Sequence, residues 1–476
     1  MNQNSLNVQY VSLLHSNQLK TTKKGTLVCS KDGYPKIKSI QLYIPENIDI
    51  DDILEKSPPS FKYHKDCFVY ILYLITSIPA SRKDREEEFT YLHSSILQKY
   101  VRDYNLYLDY LLKERVLICD GFYIVNEKPY GYKFSEEYLS PLKSVEITHW
   151  TLVKRIVYEH PKKNYEATLQ LSFMYTWLGD LTIDIEGVKN CLLMLFEEDV
   201  NNKQIKSSPK RRFNARILPI LKLENKIIAF FVDNTSSRLH TNLTQTKKEL
   251  REFIKYKGKT ICSVDISNSQ PFLAISLLNM ESYIRNNMDE KIVNPSIKNK
   301  SDIVNLINDV ENKEDVLLFK ELVIKGEFYE YFAKEMILKG MIPEVTVVTD
   351  ETIQSVRSIA KKTMFLVLFS SNKLSNEYVE LFKEKFPNVF HVFKLIKKGK
   401  GTYNALAISL QRLESELVLF RACIRINRER PDIPIFTIHD SIATTEENVE
   451  YVKMVLVETL EEAIGLAPNL KIERWE

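Results

Sequence analysis

Two short apolar runs each carry a carboxylate to their end. Residues 259–266 (KTICSVDI) place Asp265 near the end of a run of β-formers, and residues 434–438 (PIFTI) lead directly into His439-Asp440-Ser441. Runs of this length and composition read as buried strands. A carboxylate at such a position is costly unless it is paired or metal-bound. After the first run, Ser-Asn-Ser-Gln-Pro turns toward an apolar helix at 272–278; after the second, Ile-Ala-Thr-Thr continues as a return strand, so His439 and Asp440 fall at the bend of a hairpin. Locally, each acid also reads as ordinary structure, Asp265 as a helix cap and Asp440 as a turn former.

The segment between them adds the discriminating pattern. Thr349 or Asp350 can begin a helix and residues 370–372 can end it, and within it Arg357, Lys361, Phe365 and Phe369 recur every fourth residue. Steps of four advance a side chain by only about 40° around the axis, so these residues form one slowly twisting stripe, leaving Ile359, Thr363, Leu366 and Val367 to face elsewhere. Two cations followed by two aromatics can grip a triphosphate and stack a base. With two carboxylates able to share metal ions, the set suits phosphoryl transfer from a nucleoside triphosphate.

The rest of the sequence narrows the alternatives. The chain has 476 residues, enough for two or three domains, and 66 Lys+Arg against 63 Asp+Glu, so nucleic-acid contact has to come from local clusters of charge. No G-x-x-x-x-G-K-[ST] or G-x-G-x-x-G segment is present, and the cysteines (Cys29, Cys67, Cys119, Cys191, Cys262, Cys423) form no C-x-x-C pair. Buried reduced thiols are expected, with no zinc site. The N-terminus lacks a signal-peptide pattern, and the longest apolar run, 68–80, reads as a core helix and not a membrane span. A cytoplasmic protein with no membrane partner is the expectation.

Along the chain, residues 1–55 look irregular or strand-rich, 60–81 read as a buried helix, and 82–88 (RKDREEE) as a solvated charge run. Two helical stretches over 89–112, then two β-like runs with turns at Asp120-Gly121 and Pro129-Tyr-Gly131, resemble a winged helix, which either reads duplex DNA through 94–112 or serves as a packing module. The basic, Ser/Pro-broken stretch from Lys203 to Arg212, followed by Arg216, reads as a loop that either clamps phosphates or is a solvated linker. Asp184-Ile-Glu186 has the D-x-E form of a proofreading exonuclease site but reads better as the start of a helix.

In order and spacing, the three segments resemble motifs A, B and C of the DNA polymerase I family (family A) and its relatives, the single-subunit phage RNA polymerases. Asp265-x-Ser267 resembles the start of motif A, Arg357-x3-Lys361-x3-Phe365 the fingers helix, and His439-Asp440 the His-Asp of motif C. Arg238-Leu-His-Thr-Asn-Leu resembles the segment that touches primer–template, and Gln411 the glutamine that reads the minor groove. The resemblance covers about residues 235–476 and implies a helix-rich α+β fold: a right-hand polymerase with an antiparallel palm sheet and helical fingers and thumb. It sets expected domains of 1–140 (accessory, with a candidate winged helix at about 60–140), 141–235 (thumb-like) and 236–476 (palm and fingers).

The same resemblance implies residue roles. Asp265, Asp440 and the Ile266 carbonyl hold two Mg2+ ions, with Mn2+ a possible substitute. Arg357 and Lys361 neutralise the triphosphate, and Lys361 protonates the departing pyrophosphate. Phe365 and Phe369 stack near the incoming nucleotide, and Arg238, Gln411 and His439 meet the primer end. Partners are a DNA primer–template and nucleoside triphosphates, dNTPs favoured, in a bacterial, phage or mobile-element setting. Three departures matter. Gln270 stands where family A DNA polymerases usually carry the glutamate that blocks a 2′-hydroxyl. Phe369 stands where a tyrosine is usual. Ser441 matches the phage RNA polymerases, which keeps an RNA polymerase or primase-like enzyme as one alternative; an initiator or regulator with an inactive palm is another.

Overall fold

The computed structural model describes residues 37–81, 87–124, 127–159, 163–202, 205–292, 301–345, 347–399 and 401–476. It is a helix-rich α+β structure whose small sheets pair antiparallel. Two compact units divide the chain: one holds residues up to 232 with 240–260 and 475–476, the other 233–239 and 261–474.

The first unit is built on the helix Lys65–Ala80, in which Phe68, Val69, Ile71 and Leu72 are fully buried, as the apolar run predicts. A two-stranded antiparallel pair, Ile40–Pro45 with Leu142–Ile147, belongs to this unit. The winged-helix stretch forms the helices Ser94–Tyr100 and Tyr104–Lys113, broken at 101–103, and a three-stranded sheet of Thr90–Tyr91, Gly131–Phe134 and Leu117–Cys119 in that order. Gly131 has no room for a side chain: an added Cβ would lie 2.7 Å from Phe89 Cβ.

One sequence expectation holds here and another changes. Asp184 caps the helix Ile185–Asn201, its carboxylate accepting Gly187 N–H at 3.0 Å, so the D-x-E pair is a helix start. The basic stretch is not a loop throughout. Pro209 occupies the first turn of the helix Pro209–Glu224, where its missing N–H costs nothing. Arg212 and Arg216 are spent on the buried Asp199, at 3.0 and 2.6 Å, and Arg211 is buried, donating to Thr90 Oγ1 at 2.7 Å. These arginines therefore hold the unit together and are not offered to a phosphate. Lys203 lies outside the described residues. So do Cys29 and most of the 82–88 charge run.

The second unit carries a four-stranded antiparallel sheet. In chain order its elements include β1 (Ile261–Ile266), α1 (Ser269–Ala274), α2 (Phe328–Leu338), α3 (Asp350–Phe369), α4 (Ala405–Ser415), β2 (Phe436–Ile438), β3 (Ser441–Thr445), α5 (Val449–Ile464) and β4 (Leu470–Arg474). The strand order is β2-β3-β1-β4. Register pairs Val264 with Ile442 and Ile472, and Asp265 with Ser441 and Lys471. Val264 and Ile442 are fully buried, and α5 packs on β1 and β3.

Helices between β1 and β2 bury an aromatic cluster. Phe328 is fully buried, with ring centroids of Phe319, Tyr329, Phe382 and Phe386 within 5.2 to 6.4 Å. Deleting a ring of this kind removes both transfer free energy and packing. Phe328→Ala is expected to lower stability by about 3–5 kcal/mol, read as a fall in the urea midpoint. A midpoint equal to the parent's would contradict this packing.

Candidate active site

Strand geometry brings the two acids together. Asp265 sits opposite Ser441 on neighbouring strands, and Asp440 is the residue immediately before Ser441. Paired strands lie about 4.8 Å apart, so the two carboxylate-bearing residues occupy one end of the sheet. Ile438 pairs with Ser441, leaving His439 and Asp440 as a two-residue hairpin loop. His439 takes φ +58°, the positive value that a tight hairpin asks of its first central residue. Asn268, three residues past Asp265, has φ +54° and starts α1 without a side-chain cap. Both acids are thus flanked by left-handed, non-glycine residues, and Asp265 does not cap the helix.

The electrostatics match that closeness. Burial, then the neighbouring Asp440 charge, pushes the Asp265 carboxyl above its ordinary range, while Ser263 donates to it at 3.2 Å. Among the described residues neither Asp265 nor Asp440 forms an ion pair, and no cluster of three or more His, Cys, Asp or Glu is placed to hold a metal. Two adjacent carboxylates without a protein cation are a donor set that fits Mg2+, an oxygen-seeking ion commonly held by one or two carboxylates plus substrate phosphates. Ile266, the candidate carbonyl ligand, is buried beside them at the end of β1.

The helix α3 begins at a Thr349/Thr352 capping box and ends at Ser370, within a residue of the limits read from sequence. Its buried face is Val356, Ala360, Thr363, Met364, Val367 and Leu368. Ile359 and Leu366 are only half-buried, so the inward stripe is rotated from the one expected. On the other side lie Arg357, Lys361, Phe365 and Phe369. Phe365 is 40% exposed and its ring centroid is 5.3 Å from that of Phe369. Lys361 is exposed and, among the described residues, forms no ion pair or hydrogen bond. Arg357 is not a free cation: its Nε meets Glu330 at 2.6 Å, and its guanidinium lies over Tyr329 at 5.3 Å. Tyr329 is buried, and that burial raises its pKa against the pull of the Arg357 guanidinium, with the Asp440 charge pushing the same way as burial.

The residue that sequence reasoning missed is Glu414. It is 1% exposed, on the inward face of α4 with the buried Leu406, Leu410 and Leu413. Its carboxylate accepts Arg238 Nε and Nη2 at 2.8 and 2.9 Å and Gln270 Nε2 at 2.6 Å. Burial pushes its carboxyl up to about 7, against the pull of the Arg238 guanidinium, and the Asp440 charge pushes the same way. Gln270, five residues past Asp265, is 9% exposed, and its Oε1 is buried with no partner among the described residues. Gln411, half-buried one turn earlier on α4, makes no hydrogen bond to Arg238 or His439 among the described residues. The signal for Glu414 was present in the sequence: an acid at helical spacing within an apolar stripe.

No family model matches the chain, and no curated protein matches it. Among solved structures, the POL domain of Pol1 from M. smegmatis, in complex with DNA primer-template and dNTP, is similar at 14% identity with a TM-score of 0.36. That match covers 60% of this chain and 55% of the other, so the chain spans little more than half the length of that neighbour. No helix among the described residues is long and apolar enough to cross a membrane.

Proposed function

We propose that this chain is a template-directed nucleotidyltransferase, a DNA polymerase that extends a primer 3′-hydroxyl. The observation that carries the reading is the adjacent acids Asp265 and Asp440, without an ion pair among the described residues and held at one sheet end by ladder register and a two-residue turn. The motif order resembling family A adds to it. On this reading the sheet of β1 to β4 is the palm and the helices between β1 and β2 are the fingers. The domain limits of 1–140, 141–235 and 236–476, with a winged helix at about 60–140, follow from the same proposal.

Asp265 and Asp440 would hold Mg2+ with the Ile266 carbonyl. The bound ion supplies activation of the primer hydroxyl and charge neutralisation at the phosphates. Lys361, exposed and without a partner among the described residues, would meet the triphosphate and give a proton to pyrophosphate. Arg357 presents its terminal nitrogens, since Glu330 occupies Nε and fixes its direction. Phe365 and Phe369 offer a ring pair for the base. Arg238 and His439 face the primer end, with Gln411 alongside.

The test is extension of a labelled primer on a DNA template with Mg2+ and either dNTPs or NTPs. Extension with dNTPs that stops on chelation with EDTA, and returns on adding Mg2+, is the expected result. Unprimed or ribonucleotide-only synthesis would move the assignment to an RNA polymerase or primase-like enzyme. Binding without synthesis under Mg2+ and Mn2+ would leave an initiator with an inactive palm.

A further inference from the structure

One buried carboxylate holds two side chains that the proposed reaction uses. Glu414 takes Arg238 as a fork, through Nε and Nη2, and takes the Gln270 amide on Oε2. Forked by the Arg238 guanidinium, the Glu414 carboxylate is held as an acceptor, so the Gln270 amide turns Nε2 toward Glu414 and Oε1 away. A free glutamine side chain has several rotamers of similar energy. Here a charge-assisted bond of 2.6 Å selects one. Gln270 lies in the first turn of α1, five residues beyond Asp265, and Asp440 acts electrostatically on the Glu414 that grips it. The pinned amide therefore sits at the start of the helix that follows the Asp265 strand.

We propose that Glu414 is a positioning residue for nucleotide selection: it locks the Gln270 side chain at the start of α1, and the locked side chain excludes a ribose 2′-hydroxyl. This rests on the nucleotidyltransferase reading. Glutamine has nearly the bulk of glutamate, so exclusion depends on where the side chain is held, and the hold comes from α4.

Single-nucleotide incorporation of matched dNTP and NTP on one primer–template tests it. The parent is expected to favour dNTP. Glu414→Gln loses the acceptor-only carboxylate and raises the NTP/dNTP ratio about tenfold. Gln270→Ala raises it by a similar factor, and the double variant goes no further, because both changes release one lock. Gln270→Glu sets carboxylate against carboxylate and disturbs selection, while Gln270→Glu with Glu414→Gln restores a donor–acceptor pair and brings the ratio back. That reversal keeps the test decisive even where Glu414→Gln alone folds poorly, since a merely structural Glu414 gives no recovery of selectivity. A parent that extends primers while the variants keep its ratio, or a double variant whose effects multiply, overturns this inference and leaves the polymerase reading standing. A parent that incorporates neither nucleotide with any divalent ion overturns both.

Discussion

Asp440→Ala is expected to abolish primer extension while leaving the protein folded. The side chain lies at a hairpin bend and, among the described residues, enters no ion pair, so its removal costs no buried partner. It also relieves the like-charge pressure on Asp265 and Glu414. The unfolding midpoint is therefore expected to stay level or rise. With one of two carboxylates gone, the sheet end would no longer present the donor pair that would hold the cation of the proposed reaction. A loss on the order of 10³-fold or more in single-turnover rate follows. An alanine protein that extends at the parent's rate would place this carboxylate outside the chemistry and take the functional assignment with it.

The second large effect belongs to Lys361. Its ammonium is exposed on the outer side of α3 and, among the described residues, unengaged, so truncation to alanine disturbs no packing. Its proposed work falls in the transition state, where charge builds on the transferring and leaving phosphates. Removing such a group costs about 10²–10³-fold in kcat. Lys361→Ala should therefore lower kcat and kcat/KM together, with little change in KM and none in thermal midpoint. A rise in KM alone would mean that the ammonium binds substrate and transition state equally. An unchanged kcat would remove it from the chemistry. Arg357 is the weaker candidate for such a loss, because Glu330 already compensates part of its charge.

How far these features could be read in advance depended on range. Asp265 and Asp440 were visible because each ends an apolar run, where a charge is conspicuous, and their meeting followed from pairing the two runs. The limits of α3 were visible because Thr349, Thr352 and Ser370 act within a turn of the helix ends. The Arg238–Glu414 fork was not, since its partners stand 176 residues apart and nothing local marks them as a pair. The arginines after Pro209 were misread for the same reason. Asp199 lies on the preceding helix, and a basic cluster looks available until its acid is seen. Arg357 followed that pattern: its spacing was legible and its engagement with Glu330 and Tyr329 was not.

The sheet order has a consequence for how the protein is made. β1 pairs on one side with β3 and on the other with β4, the strand Leu470–Arg474, about 200 residues further along. While the chain is still being synthesised, the strand bearing Asp265 has neither neighbour and presents bare backbone edges. Closing loops of this length is entropically slow. The sheet end bearing Asp265 and Asp440 is thus completed only after both later strands have been made, and until then the strand between them stands with bare edges.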